Sequence, residues 1–133
     1  MTRTFLAALL LACGAEPIAR VRAPDGALRL RVHVEVAQTA TERRQGLRGR
    51  PTLDDNEGLW IAFPVEDEVC LINTGVPFGI DALFVDAAST VTSVATLAPG
   101  QDETVCGLAR DVLEVASGQA ASVTAGDRAT LDR

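Results

Sequence analysis

A chain of 133 residues has room for one domain and enough apolar surface to fold alone, and a 47% apolar content excludes a disordered protein. Its formal net charge of −6 would repel nucleic-acid phosphates, so no nucleic-acid partner is expected. There is no Lys and no Tyr, which removes Schiff-base chemistry and a Tyr acid from the options.

The chain begins with Met1-Thr2-Arg3, the apolar run Phe5 to Ala12, and then Cys13-Gly14. A positive start, a short apolar core and small residues at its end make an export signal, and the run is too short to cross a bilayer of about 30 Å. Leu10-Leu11-Ala12-Cys13 resembles the lipobox of bacterial lipoproteins, in which the Cys becomes the acylated first residue. Residues 1–12 therefore read as a signal peptide, 13–27 as a lipidated tether rich in Ala, Arg and Pro, and 28–133 as the domain. Losing the signal removes Arg3 and makes the mature chain one unit more negative. Acyl chains contribute about 0.8 kcal/mol per buried methylene and would hold Cys13 on a membrane face. The expected location is the bacterial cell envelope, anchored and facing the periplasm, or outside the cell.

From Leu28 the pattern alternates strictly, with Leu28, Leu30, Val32, Val34 and Val36 on one face and Arg29, Arg31, His33 and Glu35 on the other. Period two with one polar face predicts a half-solvated antiparallel strand, which puts His33 in solvent. Thr39 and Glu42 form a capping box at the start of a helix of about two turns that Gly46 or Gly49 ends. Arg43, Arg44, Arg48 and Arg50 crowd this segment, as a solvated face or an anion site. The acids Asp54, Asp55 and Glu57 lack the glycine-centred pattern of an EF-hand, so no metal site is expected.

Gly58 opens an apolar strand, Leu59 to Phe63, and Pro64 to Glu68 reads as a turn. The centre of the chain is Cys70 to Asp86, a short strand, a Gly/Pro turn with Pro77 and Gly79, and a second strand that starts near Asp81. Val91 to Leu97 is a β-branched strand, Pro99 to Thr104 a polar loop, and Val112 to Val115 and Ala129 to Leu131 the last strands. Many short strands and one small helix predict an all-β fold, an antiparallel β-sandwich or partly closed barrel.

The ordered set of signals resembles the DUF192 family. Thr39 to Arg50 looks like its Thr-x-x-x-Arg-x-x-Gly-Leu-Met-x-Arg segment, and Leu53 with Glu57-Gly58-Leu59-Trp60-Ile61-Ala62-Phe63 looks like its Leu followed by Glu-Gly-Met-Leu-Phe-x-Phe. Asp81, Phe84 and Asp86 match its central Pro-Leu-Asp-x-x-Phe-x-Asp, and Val112-Leu113-Glu114-Val115, Gly118 and Gly126-Asp127 complete the match. The resemblance implies an exported, compact β-sandwich domain without an established activity. Arg48, Leu59 and Asn73 stand where the family usually has Met, Ile72 where it has an aromatic, and Gly79 where it has Pro. Those positions would line a pocket or pack beneath the turn.

Three Cys leave an odd number in an exported chain; with Cys13 acylated, Cys70 and Cys106 remain to form a structural disulfide. A redox role is the lesser alternative, because the two lack the Cys-x-x-Cys spacing that activates a thiol. His33 is the sole His and no Gly-x-Ser-x-Gly elbow accompanies it, so no catalytic residue is assigned. Asp81 at the start of an apolar strand must accept amides or pair with Arg; it and Asp86 are candidates for stapling turns or binding a ligand, with Arg43 and Arg50 as candidate partners. Odd spacing places Asp81 and Asp86 on opposite strand faces, which disfavours a paired-carboxylate glycosidase.

The reading is therefore a lipid-anchored envelope protein, a binding or structural module rather than an enzyme, with no cofactor. Its candidate partners are the membrane through the anchor and an envelope protein or polysaccharide. The alternatives are a polysaccharide-binding protein or hydrolase using Asp81, and a thiol redox protein using Cys70 and Cys106.

Overall fold

The computed structural model describes residues 16–133. The expected signal peptide and Cys13 lie outside the described residues. Among the described residues seven strands and one helix follow in order: β1 (Ile18–Arg22), β2 (Leu28–Ala37), α1 (Ala40–Gln45), β3 (Glu57–Leu71), β4 (Ile80–Val85), β5 (Val91–Leu97), β6 (Val105–Ala116) and β7 (Arg128–Asp132). They make a single sheet in the order β5-β4-β6-β3-β2-β1-β7, curled into a half-barrel. The expected all-β class with one short helix holds, in the partly closed form rather than as a sandwich.

The expected tether is corrected from Ile18 onward. Ile18 to Arg22 pairs antiparallel with both β2 and β7, and Ala19 and Val21 are fully buried. Alternation in Ile-Ala-Arg-Val-Arg puts the two small apolar side chains inward and the arginines outward, which is strand chemistry on a short scale. The sheet is also not wholly antiparallel, because β2 and β3 run parallel from His33↔Glu57 to Ala37↔Ile61. A parallel pair needs a crossover of a dozen or more residues, and 38–56, carrying α1, supplies one.

One expected turn lies inside a long strand, and one expected strand begins earlier than its apolar run. Pro64 to Glu68 belongs to β3, whose ladder with β6 breaks between Ala62 and Asp67. Pro64 lacks a donor and fits only where the ladder is interrupted. Likewise β6 begins at Val105, well before Val112, and places Gly107 beneath the Phe84 ring; a Cβ at 107 would lie 2.5 Å from Phe84 Cγ. Glycine is required there by close approach.

The curl creates two cores. One holds Ala19, Val21, Leu30, Val32, Val34, Trp60, Leu83, Val85, Leu113 and Val115. The other lies on the opposite face of β3, β4 and β6, where Leu59, Ile61, Val69, Ile80, Ala82, Phe84 and Val112 meet Leu47, Leu53 and Val76 from the connections. Strand β4 and the 112–115 part of β6 are thus covered on both sides, and every residue of β4 is buried. Burial at about 25 cal/mol per Å² makes these two faces the main source of stability.

Candidate functional site

The capping box is present as the sequence predicts: the Thr39 side chain accepts from the Glu42 amide at 3.1 Å, and Glu42 Oε1 accepts from the amides of Gln38 and Thr39. Those two backbone bonds hold the Glu42 carboxyl below its usual range. Gly46, with φ 52°, ends α1. Arg43 fastens the helix to the sheet: its Nη1 donates to Gln38 O at 2.7 Å and Ala62 O at 3.0 Å, and its guanidinium lies 5.4 Å from the Phe63 ring centre. Arg48 fastens the far end, with Nε donating to Thr74 O at 3.2 Å and Nη1 to Arg44 O at 2.6 Å. Beyond it Asn73, only 1% exposed, donates Nδ2 to Phe78 O and Ala98 O, both at 2.9 Å, and so fixes the turn that follows β3.

Between this frame and β3 runs a groove of about 710 Å³. Leu47, Ile61, Phe63, Val69, Leu71 and Val76 give it an apolar lining; Arg43, Arg44 and Arg48 stand on the helix side, and Asp67 and Glu68 on the β3 side. Glu114 also lines it, from the centre of β6. Glu114 faces Leu59 of β3 and Ala82 of β4, both members of the second core. It is 5% exposed, and burial alone pushes its carboxyl from 4.5 to about 7, with no hydrogen bond or charge opposing it. An unpaired carboxyl in such a place is costly for the fold.

Sequence reading did not single out Glu114. The available signal was a lone acid inside the apolar run Val112-Leu113-Glu114-Val115: a run apolar at both parities marks a strand covered on both faces, and its acid must be buried.

The other sequence candidates sit elsewhere. Asp81, 5% exposed, accepts from Thr96 Oγ1 at 2.9 Å through Oδ1 and from the amides of Gly118 and Ala120 at 2.9 and 3.1 Å through Oδ2. It ties β4 to the turn after β6, and no Arg approaches it as a salt-bridge partner among the described residues. Asp86 Oδ1 accepts from the amides of Ala88 and Thr90, both at 2.9 Å, and so closes the β4–β5 turn. The two acids bind separate turns and share no cleft.

Arg50 leaves the helical cluster and pairs with Glu35 at 2.6 Å. Near it His33 is half-buried rather than solvent-facing, with Nδ1 3.6 Å from Glu16 Oε1. Cys70 and Cys106 are bonded directly across β3 and β6, with Cα atoms 4.0 Å apart, and Cys70 lies on the groove's rim. Trp60 donates Nε1 to Asp111 at 3.1 Å in the first core, where burial raises the Asp111 carboxyl against the pull of that bond.

The model of the family DUF192, described as an uncharacterized ACR, matches residues 21–131. The chain belongs to the DUF192 family. Two solved structures share the fold of this DUF192 domain. One, from Sinorhizobium meliloti 1021 and described as a candidate transcription regulator, is 22% identical with a TM-score of 0.81, covering 87% of this chain and 93% of the other. The second, a protein of unknown function from Novosphingobium aromaticivorans DSM 12444, is 24% identical with a TM-score of 0.79, covering 88% and 94%. At these identities the likeness concerns the fold. No curated protein matches the chain.

Proposed function

We propose that this DUF192 domain is an exported, lipid-anchored binding module of the bacterial envelope whose ligand enters the groove and closes over Glu114. One observation carries the binding role: Glu114, 5% exposed as a residue, turns a carboxyl that makes no hydrogen bond or salt bridge among the described residues onto a cavity of ligand size. A fold served only by packing would gain from an apolar side chain at that position. The anchor is supported by Leu10-Leu11-Ala12-Cys13, and export by the Cys70–Cys106 disulfide, which suits an oxidising compartment. A chain charge of −6 favours a ligand other than nucleic acid. The apolar lining favours a small amphiphile over a polysaccharide, whose hydroxyls would lie unpaired against Leu47, Ile61 and Val69.

Two measurements test the reading. The intact mass of protein from its native membrane, with thiols alkylated before and after reduction, is expected to show an acylated chain beginning at Cys13 and two thiols that appear only after reduction. An unmodified Cys13 refutes the anchor. Octanol, added to isotope-labelled protein, is expected to shift the backbone amides of 43–48, 61–76 and 114; an undisturbed groove refutes the binding role.

A further inference from the structure

The groove's two walls carry opposite charge, and neither wall neutralises itself. None of Arg43, Arg44 and Arg48 makes a salt bridge among the described residues. Arg43 is committed to carbonyls and to the Phe63 ring, whereas Arg44 is exposed and makes one long contact, 3.4 Å to Thr41 Oγ1. Arg48, which lines the groove, donates through Nε and Nη1, and its Nη2 makes no hydrogen bond among the described residues. On the facing wall Asp67 caps only the Glu68 amide, at 2.7 Å. Between the walls the lining is mainly apolar, with Glu114 and Asn73 as its buried polar residues.

We propose that the occupant of this groove is an anionic amphiphile, its negative group held by Arg44 and Arg48 at the helix wall and its apolar body lying over Glu114. This rests on the groove reading above and names its ligand class. Asp67 and Glu68 fix the orientation, since a negative group placed against β3 would be repelled. An apolar body sealing the floor removes the last water from Glu114 and favours its neutral form, so binding takes up a proton around neutral pH. A cationic amphiphile has the opposite requirement: Glu114 must be charged, and three guanidinium groups would face its headgroup.

The charged groups that line the groove together with Glu114 are Arg43, Arg44 and Arg48 from the helical segment and Asp67 and Glu68 from β3, and β4 sets Ala82 beside it. Substitution of Glu114 by Gln therefore isolates its share of any pH dependence.

The test compares octanoate, octanol and octylamine on the full mature chain, by calorimetry and amide shifts, at about pH 6 and about pH 8. Octanoate is expected to bind tightest, to shift the amides of Arg44, Arg48 and Glu114, and to weaken about tenfold from about pH 6 to about pH 8. Arg44→Gln with Arg48→Gln is expected to reduce octanoate affinity about tenfold, the fold-change equal to about 1.4 kcal/mol, and to leave octanol unchanged. Glu114→Gln is expected to bind octanoate with the same affinity at both pH values. Octanol binding as tightly as octanoate, or octylamine binding more tightly, overturns the anionic class while the groove remains a binding site. Octanoate shifting only amides outside the groove also overturns the proposal. If none of the three disturbs the groove amides, the binding role itself fails and this inference falls with it.

Discussion

Glu114→Gln should make the protein more stable above neutral pH and change it far less in acid. Burial raises the folded-state carboxyl from 4.5 to about 7, so the folded protein holds this proton more tightly than the unfolded chain does. The corresponding stability is fully present below 4.5 and is lost as pH rises through about 7. At about 1.4 kcal/mol per pH unit the interval is worth about 3 kcal/mol, undiminished by solvent because the residue is 5% exposed. That is a large part of the stability of a small domain. Gln occupies the same volume and does not titrate. Urea unfolding can be followed by fluorescence of Trp60, the sole Trp and 5% exposed in the first core, between about pH 4 and about pH 9 with the disulfide intact. The difference between the Glu114→Gln and wild-type curves is expected to rise by about 3 kcal/mol across that range. Asp111 and Glu42 titrate in both proteins and cancel in the difference. Parallel curves would show that the carboxyl is solvated or paired, and would refute the account of the groove's floor.

Three further outcomes follow from the packing. Asp81→Asn should cost about 2–4 kcal/mol, because Oδ2 serves two backbone amides and an Asn side chain has only one oxygen for three donors; a loss below about 0.5 kcal/mol in the same urea assay contradicts the staple. Gly107→Ala should cost about 1–3 kcal/mol, since the new methyl would lie 2.5 Å from Phe84 Cγ and 2.8 Å from Ser93 Oγ while the ring is fully buried; a neutral effect on the urea midpoint refutes the close approach. Cys70→Ser with Cys106→Ser should retain the far-ultraviolet dichroism of the sheet but unfold at lower urea, by roughly 3–4 kcal/mol for a separation of 36 residues; an unchanged midpoint contradicts the bridge's contribution.

Elements resting on short-range chemistry were legible in the sequence. The capping box of Thr39 and Glu42, the stop at Gly46, the alternation of Leu30, Val32 and Val34 and the strand Val91 to Leu97 all depend on neighbours a few residues apart. Asp81 was legible as a staple for a related reason: an acid entering an apolar strand must find donors, whichever turn provides them. The turn it holds, 117–120, is distant in sequence and could not be named in advance. The pairing of Cys70 with Cys106 rested on counting cysteines under the expectation of export, and the structure sets the two directly opposite each other.

What periodicity could not supply is which faces become covered. Ile18 to Arg22 alternates as a strand does, yet five residues with two arginines form one only because β2 and β7 accept it from both sides. Pro64 ends a strand by local rules and lies within β3 because the ladder to β6 is interrupted there. Leu28 heads the apolar face of β2 but is 50% exposed, although β1 reaches it in the ladder through Arg22. The site is the strongest case. Alternation places Glu114 on the same face as Val112, but whether that face meets water depends on α1 and the 46–53 connection folding over β3 and β6. Sequence alone therefore determined which side chains share a face and marked local elements such as β2, α1 and β5. Tertiary structure decided that Glu114's face is buried, because removal from water depends on elements far away in the chain, and that burial gives an ordinary glutamate its unusual proton affinity.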